Sequence, residues 1–340
     1  MLTVVVCTCN RPEMLEQALL SLSRQTRADL IAKVIVSENG GNRASEAVCS
    51  RYPSLPIEYF YQDPPRPITE HIPSLKPSVD SPFIAILHDD DWWLPDHVEA
   101  SLEALRQGHA VAVFSHFVEA NSPRHPQVSS YKAPRVWAAS GFDFSREVIG
   151  LTRVQNLLIH LLDSSFHYST FVGDTRCCWQ ALESALASGN PYDNDRTFPL
   201  FLRELGPLVY RPAASVVVRT HPGQDSLDPV YRESGGQMKA ATTAWMRSSF
   251  PDLFEEAVAY FHNQMKPGLT EQELNGVMNY LPTEQLVALV ELCGLDLTQV
   301  LAQRLPPAAA AAPSPWQAMV FQLKCRLKPI AVRLVPALSD

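Results

Sequence analysis

Three successive carboxylates, Asp89, Asp90 and Asp91, follow the apolar run Ile84-Ala85-Ile86-Leu87 and His88, and precede Trp92-Trp93. Holding three like charges at the end of a buried strand is costly unless a cation balances them. Hard oxygen donors of this type suit Mg²⁺ or Mn²⁺, ions that also bind phosphates. A plainer use is a solvated acidic turn in which Asp91 or Asp96 caps the next helix. Two more polar clusters close apolar runs: Thr8-Cys9-Asn10-Arg11-Pro12 after Val4-Val5-Val6, and Ser37-Glu38-Asn39-Gly40-Gly41 after Val34-Ile35-Val36. Each alone reads as a helix cap or turn. Together with the acidic run they place side chains suited to a base, a ribose and a metal at the ends of successive strands.

The elements that must position them follow from periodicity. Residues 2–7, 33–36, 57–61, 83–87 and 110–117 are short apolar runs that read as strands, and the stretches between them are amphipathic, the pattern of a mostly parallel α/β sheet with helical crossovers. Asn10 is placed to cap a helix with Pro12 and Glu13 in its first turn and Leu15, Ala18, Leu19 and Leu22 on one face. Leu94-Pro95-Asp96 opens another helix with Val98, Leu102 and Leu105 inward and Gly108 as its stop. In such sheets ligands bind at the carboxyl ends of the strands. Residues 119–165 read as an irregular insertion of the kind that can carry a substrate site, with Trp137, Phe142 and Phe144 suited to stacking there or to a core. Beyond it the pattern predicts a helix over 177–187, a turn at Gly189-Asn190-Pro191, a helix over 198–205 and a strand over 208–218. The expected organisation is a domain over 1–235, in two halves that meet at about 118–119, then a helical extension over 236–305 that includes helices at 272–278 and 284–292. An Ala/Pro linker over 306–315 and a basic, apolar segment over 316–340 complete it.

The chain has 340 residues, 46% hydrophobic and 19% charged, with a net charge of -8. That composition fits a globular protein and excludes wholesale disorder or a multi-span membrane protein. The acidic balance argues against a nucleic-acid partner, which requires a clustered basic surface. The first residues lack a basic leader region and a cleavage site, which points to the cytoplasm. Seven cysteines without a CxxC pair give no disulfide framework or zinc ribbon. Cys7 and Cys9, on one face of the first strand, read as packing residues, with metal or redox chemistry as the alternative.

Four segments in order resemble the family 2 glycosyltransferases of the GT-A fold: Val4 to Pro12, Val34 to Gly40, Ile86 to Trp93, and Asp195 through His221. The resemblance runs from Leu2 to about Ser226. It implies a metal-dependent, inverting transfer of a sugar from a nucleoside diphosphate, with a UDP-sugar favoured, to a hydroxyl of a glycan or lipid-linked glycan. Carried over by residue type, Thr8, Asn10, Arg11, Glu38, Asn39 and Asp89 would hold the nucleotide. Asp90 and Asp91, with His221, would hold Mn²⁺ or Mg²⁺, Asp90 being favoured first and Asp89 or Asp91 second. His88 stands where the family often has aspartate. In Pro191-Tyr192-Asp193-Asn194-Asp195-Arg196, Asp195 matches the acidic residue that deprotonates the acceptor, with Asp193 as second choice and Asn194 in place of the usual glutamate. The alternative is that these residues cap the helix that follows. Arg219-Thr220-His221-Pro222-Gly223 looks like the family's basic turn near the diphosphate, so Arg219 would offset charge on the leaving group.

Two rival readings use the same features: a sugar-phosphate nucleotidyltransferase, which would want a Gly-rich basic loop where this chain has only Arg11, and a non-catalytic scaffold of the same fold. Residues 316–334 interleave Trp316, Met319, Phe321, Leu323, Leu327 and Ile330 with Lys324, Arg326, Lys328 and Arg333. The segment is too short and too charged to span a bilayer, which takes about 20 apolar residues. It would lie on an anionic membrane surface, or serve self-association.

Overall fold

A computed structural model of the chain describes residues 1–120, 129–130, 145–162, 166–188, 194–221 and 242–265; the side chains of Ile68, Glu119, Ser129, Ser130, Leu162, Asn194, Asp195 and Met265 are outside this description. All described residues lie in one compact unit, Met1–Cys293. Asp193, the turn at 189–191, Trp137, Phe142, Phe144 and everything expected beyond residue 265, including the linker and the basic segment, lie outside the described residues.

The opening strand β1 (Leu2–Thr8) and β2 (Ile31–Asn39), β3 (Ile57–Gln62) and β4 (Phe83–Ile86) pair in parallel in the order β3-β2-β1-β4. Val4 and Val6 point to one layer of helices and Val5 to the other, so both faces of β1 are buried and its sequence is nearly continuously apolar. Helix α1 (Pro12–Ser23) covers one face with Leu15, Ala18, Leu19 and Leu22, all 0% exposed. Burial of each large apolar side chain is worth roughly 1.5–3 kcal/mol. On the same side, α2 (Ala44–Cys49) crosses from β2 to β3.

Beyond β4 the sheet becomes mixed. The short β5 (Trp92–Trp93) pairs antiparallel with the last long strand, β10 (Leu208–Arg219), and β6 (Ala112–Ala120) pairs parallel with β10. Strand β9 (Phe171–Asp174) lies antiparallel between β4 and β6. Two short strands, β7 (Ser129–Ser130) and β8 (Ile149–Leu151), hang on β6 and β10. Helix α4 (His97–Gly108), which follows α3 (Ile68–Ser74), lies against β6 and β10, and α6 (Thr175–Ala187) and α7 (Asn194–Leu205) close the opposite face.

Several local expectations need correction. Residue 11, not Asn10, occupies the cap position of α1 and makes no side-chain cap bond; Asn10 instead adopts a left-handed backbone, φ 53°, and its Oδ1 accepts from the Asn42 N–H. Cys9 falls past the end of β1 and is exposed, while Cys7 packs in the core as expected. Within the stretch expected to be irregular, 119–165, the described residues include β8 and α5 (Arg153–Leu162). Val154, Leu157, Leu158 and Leu161 are buried at helical spacing, and that periodicity outweighs the polar residues around them. The helix expected from Phe198 starts a turn earlier, at Asn194.

Candidate active site

Strand directions bring the chemistry to one edge. β1 and β4 are parallel, so Thr8 at the end of one meets the acidic run at the end of the other. β9 runs the opposite way, so its entry, a 3-10 turn over Tyr168–Thr170, arrives at the same edge. β10 delivers Arg219 and then His221 there. At the start of α7, Phe198 contacts Tyr168 and Phe171 with ring centroids 5.7 and 5.3 Å apart. Asp195 lies one turn earlier on the same helix.

The three aspartates divide their partners. Thr8 Oγ1 donates to Asp89 Oδ2 at 2.7 Å, and Arg11 Nη1 approaches Asp89 Oδ1 at 3.4 Å and Asp90 Oδ2 at 3.7 Å. His221 Nε2 lies 3.1 Å from Asp90 Oδ2. Asp91 turns to another set: Ser169 Oγ donates to its Oδ2 at 2.6 Å, and the Arg219 N–H to its Oδ1 at 2.9 Å. Ser169 Oγ also accepts from the His88 N–H at 3.0 Å, and its carbonyl accepts from Trp93 Nε1 at 2.7 Å. One serine therefore ties the acidic loop to the turn that leads into β9.

Charge states follow the same division. Burial pushes the Asp89 carboxyl up to about 6, with Asp90 adding to the rise and Thr8 and Arg11 opposing it. Burial also takes Asp91 to about 6, against His88 and the donors Ser169 and Arg219. For Asp90, burial acts in the same direction, but the fields of His88, His221 and Arg11 outweigh it and hold the carboxyl below its ordinary range. Asp90 is thus the aspartate whose negative charge the site sustains best.

Arg219 is 1% exposed, its guanidinium 4.9 Å from the centre of the Trp92 ring, and its Nε and Nη2 have no hydrogen-bond partner. Burial lowers its pKa, which the three aspartates oppose. A buried guanidinium with open donors next to three carboxylates is a fixed counter-charge to them.

Not every expected nucleotide residue reaches this edge with a free side chain. Glu38 is 0% exposed; its Oε2 accepts from Tyr59 at 2.7 Å and from the Ser45 N–H at 3.3 Å at the start of α2. Asn39 pairs both ways with the backbone of Arg66, donating to its O and accepting from its N–H, each at 2.8 Å. These two residues shape the wall next to β2, while Asn10 and Arg11 face outward. Sequence reasoning missed Ser169 and His167; the sole signal was a polar turn, His167-Tyr168-Ser169-Thr170, set directly ahead of a buried strand.

With this geometry in place, the match to known proteins is specific. Residues 3–152 match the model of the family described as Glycosyl transferase family 2. Those residues make up less than half of the chain; over them it is similar to family 2 glycosyltransferases, and its fold is of the GT-A kind. No curated protein sequence matches it. Among solved structures it is similar to S. aureus TarS, at 11% identity and a TM-score of 0.53 over 88% of this chain and 52% of that one, so the chain spans about half the length of that TarS structure. It is also similar to TarS 1-349 in complex with UDP-GlcNAc, at 12% identity and a TM-score of 0.55 over 84% of this chain and 82% of that one. The TarS 1-349 complex with UDP gives 12% identity and 0.53 over 88% and 87%. At such identities the likeness shows the fold. No described helix of this chain is long and apolar enough to cross a membrane.

Proposed function

We propose that this chain is a glycosyltransferase that moves a sugar from a nucleoside-diphosphate donor, a UDP-sugar by preference, to a hydroxyl of a glycan or lipid-linked glycan, with inversion. The observation that carries the reading is the meeting of Thr8, Arg11, Asp89, Asp90, Arg219 and His221 at the carboxyl edge of the sheet in a family 2 fold. The TarS structures with UDP-GlcNAc and UDP support the donor class.

Asp90 and His221 fit a divalent cation: a carboxylate and an imidazole 3.1 Å apart, with Asp89 adjacent. Mn²⁺ or Mg²⁺ bound there would supply positive charge to a departing diphosphate. Arg11 crosses the mouth of the site with its side chain 31% exposed, placed to meet a phosphate as well as Asp89 and Asp90. Arg219 and its open donors add a buried charge behind them. Asp195 is the base that takes the acceptor proton, and Asp193 is the second choice. A single displacement by that hydroxyl inverts the anomeric centre. The protein acts on the cytoplasmic side, and residues 316–334 dock it on a membrane surface or on a second copy.

The test is release of nucleoside diphosphate from a panel of nucleotide sugars with Mn²⁺ and candidate acceptors. Asp195→Asn is expected to remove transfer while leaving nucleotide affinity within a few fold, and Asp90→Ala to remove the metal dependence of nucleotide binding. Full turnover by Asp195→Asn, or metal-dependent binding by Asp90→Ala equal to that of the parent, would sink the assignments. No release with any donor and acceptor would favour the non-catalytic scaffold.

A further inference from the structure

The partners of Asp91 leave one arrangement unexplained. His167 Nδ1 lies 3.4 Å and His88 Nδ1 3.9 Å from Asp91 Oδ2, and the three ligand atoms all fall within 4.8 Å of one another. The two imidazole rings meet edge to face with centroids 4.8 Å apart. His167 Nδ1 accepts the Ser169 N–H in a long 3.3 Å contact, so this nitrogen carries a lone pair and no proton. Asp91 Oδ2 is held by the Ser169 hydroxyl beside that nitrogen, and the His88 nitrogen closes the triangle. Two imidazoles and a carboxylate gathered this closely are a ligand set that one cation could share.

We infer that His88, Asp91 and His167 form a second cation site, separate from the pair Asp90 and His221, and that it takes a borderline divalent ion such as Zn²⁺ or Co²⁺. Two imidazoles and one carboxylate suit such an ion, whereas Mg²⁺ prefers oxygen. With metal–ligand bonds of about 2.0–2.2 Å in a tetrahedral site, neighbouring donors stand roughly 3.3–3.5 Å apart. The His167–Asp91 spacing already fits. The His88 donor must close by several tenths of an ångström or more, and its side chain, 40% exposed, has room to swing. The carboxylate is oriented from behind by the Ser169 hydroxyl and the Arg219 N–H, the supporting bonds that a ligating carboxylate requires.

The inference is independent of the donor reading and is tested without turnover. Full-length protein stripped with chelator is titrated with Co²⁺ while the visible d–d absorption is followed, with and without a thousandfold excess of Mg²⁺. One equivalent is expected to bind at this site and to survive the Mg²⁺. His88→Gln and His167→Gln are each expected to lower Co²⁺ affinity at least tenfold, and His167→Gln to leave nucleotide binding in Mg²⁺ within twofold. His221→Gln should leave the Mg²⁺-resistant Co²⁺ band within twofold. If His167→Gln does not fold, His88→Gln decides the question, because its side chain is half in solvent. Unchanged Co²⁺ affinity in His88→Gln, displacement of Co²⁺ by Mg²⁺, or loss of the band in His221→Gln would each overturn the site. Loss of nucleotide binding throughout would count against the donor reading and leave this one standing.

Discussion

Replacing Ser169 by alanine removes one oxygen and two hydrogen bonds, and the structure sets the size of the effect. Ser169 is 0% exposed, and its hydroxyl bridges the Asp91 carboxylate, 1% exposed, and the His88 N–H. Deleting it leaves Asp91 Oδ2 without its shortest donor and the amide without an acceptor. Leaving a buried polar group unpaired costs about 1–3 kcal/mol, more when it is charged, and little is regained because alanine opens only a small void. Ser169→Ala should therefore lose roughly 2–4 kcal/mol, a drop of about 3–7 °C in melting temperature for a unit of this size. Urea unfolding followed by tryptophan fluorescence is a suitable assay, since Trp93 Nε1 donates to the Ser169 carbonyl. The loss also has a sign with pH. The hydroxyl favours ionised Asp91, whose carboxyl already sits near 6, so the penalty should be larger at pH 8 than at pH 5. A loss below about 0.5 kcal/mol, or one that grows as the pH falls, would refute the bridging role.

Three further outcomes are expected. A Cβ on Gly41, whose φ is +95°, would come within 2.4 Å of Asn10 Oδ1, so Gly41→Ala should lose about 1–3 kcal/mol and weaken nucleotide binding through Asn10, whereas Gly150→Ala, with nothing within 4 Å, should stay within about 0.5 kcal/mol; paired melts and calorimetry check both. His160 is 0% exposed with neither ring nitrogen hydrogen-bonded, so His160→Leu should stabilise the fold by about 1 kcal/mol at pH 7.5, read by urea denaturation. Burial, with Arg196 adding, depresses the His160 pKa to about 3; the unfolded chain therefore takes up this proton first, and the parent loses stability as the pH falls below about 6.5, so the advantage of His160→Leu should widen by about 1.4 kcal/mol per pH unit between pH 6 and 4. A pH-independent difference would show that His160 does not titrate in the unfolded state as argued.

The first half of the fold was legible because its signals are local. Each strand from β1 to β4 is an apolar run on which both faces are covered, and each helix between them carries one apolar stripe, so type and order follow from periodicity. What periodicity does not carry is partner choice. β9, four residues long, inserts between β4 and β6 from more than eighty residues away, and β5 is two tryptophans whose strand character exists only against Val216 and Val217. The helix α5 was hidden for a different reason: its apolar stripe is short and set within polar sequence.

At the site, residue types revealed which groups matter but not which way they face. Three adjacent aspartates look equivalent in the sequence, yet alternate positions around a tight turn must point apart, and the turn closes with the Asp91 N–H on the His88 carbonyl at 3.2 Å. Asp91 is consequently drawn under the loop to Ser169 and the Arg219 N–H, and Asp89 and Asp90 remain toward Thr8, Arg11 and His221. The same logic moves Glu38 inward: it lies on β2 on the side of Val34 and Val36, the side covered by α2, so its carboxylate meets Tyr59 and a helix start instead of solvent. Strand parity thus separates the acidic groups that hold the fold from those that meet a ligand. Asp90 emerges as the residue on which the metal and nucleotide reading depends, because it alone combines outward placement, Arg11 and His221 as close neighbours and a carboxyl held below its ordinary range.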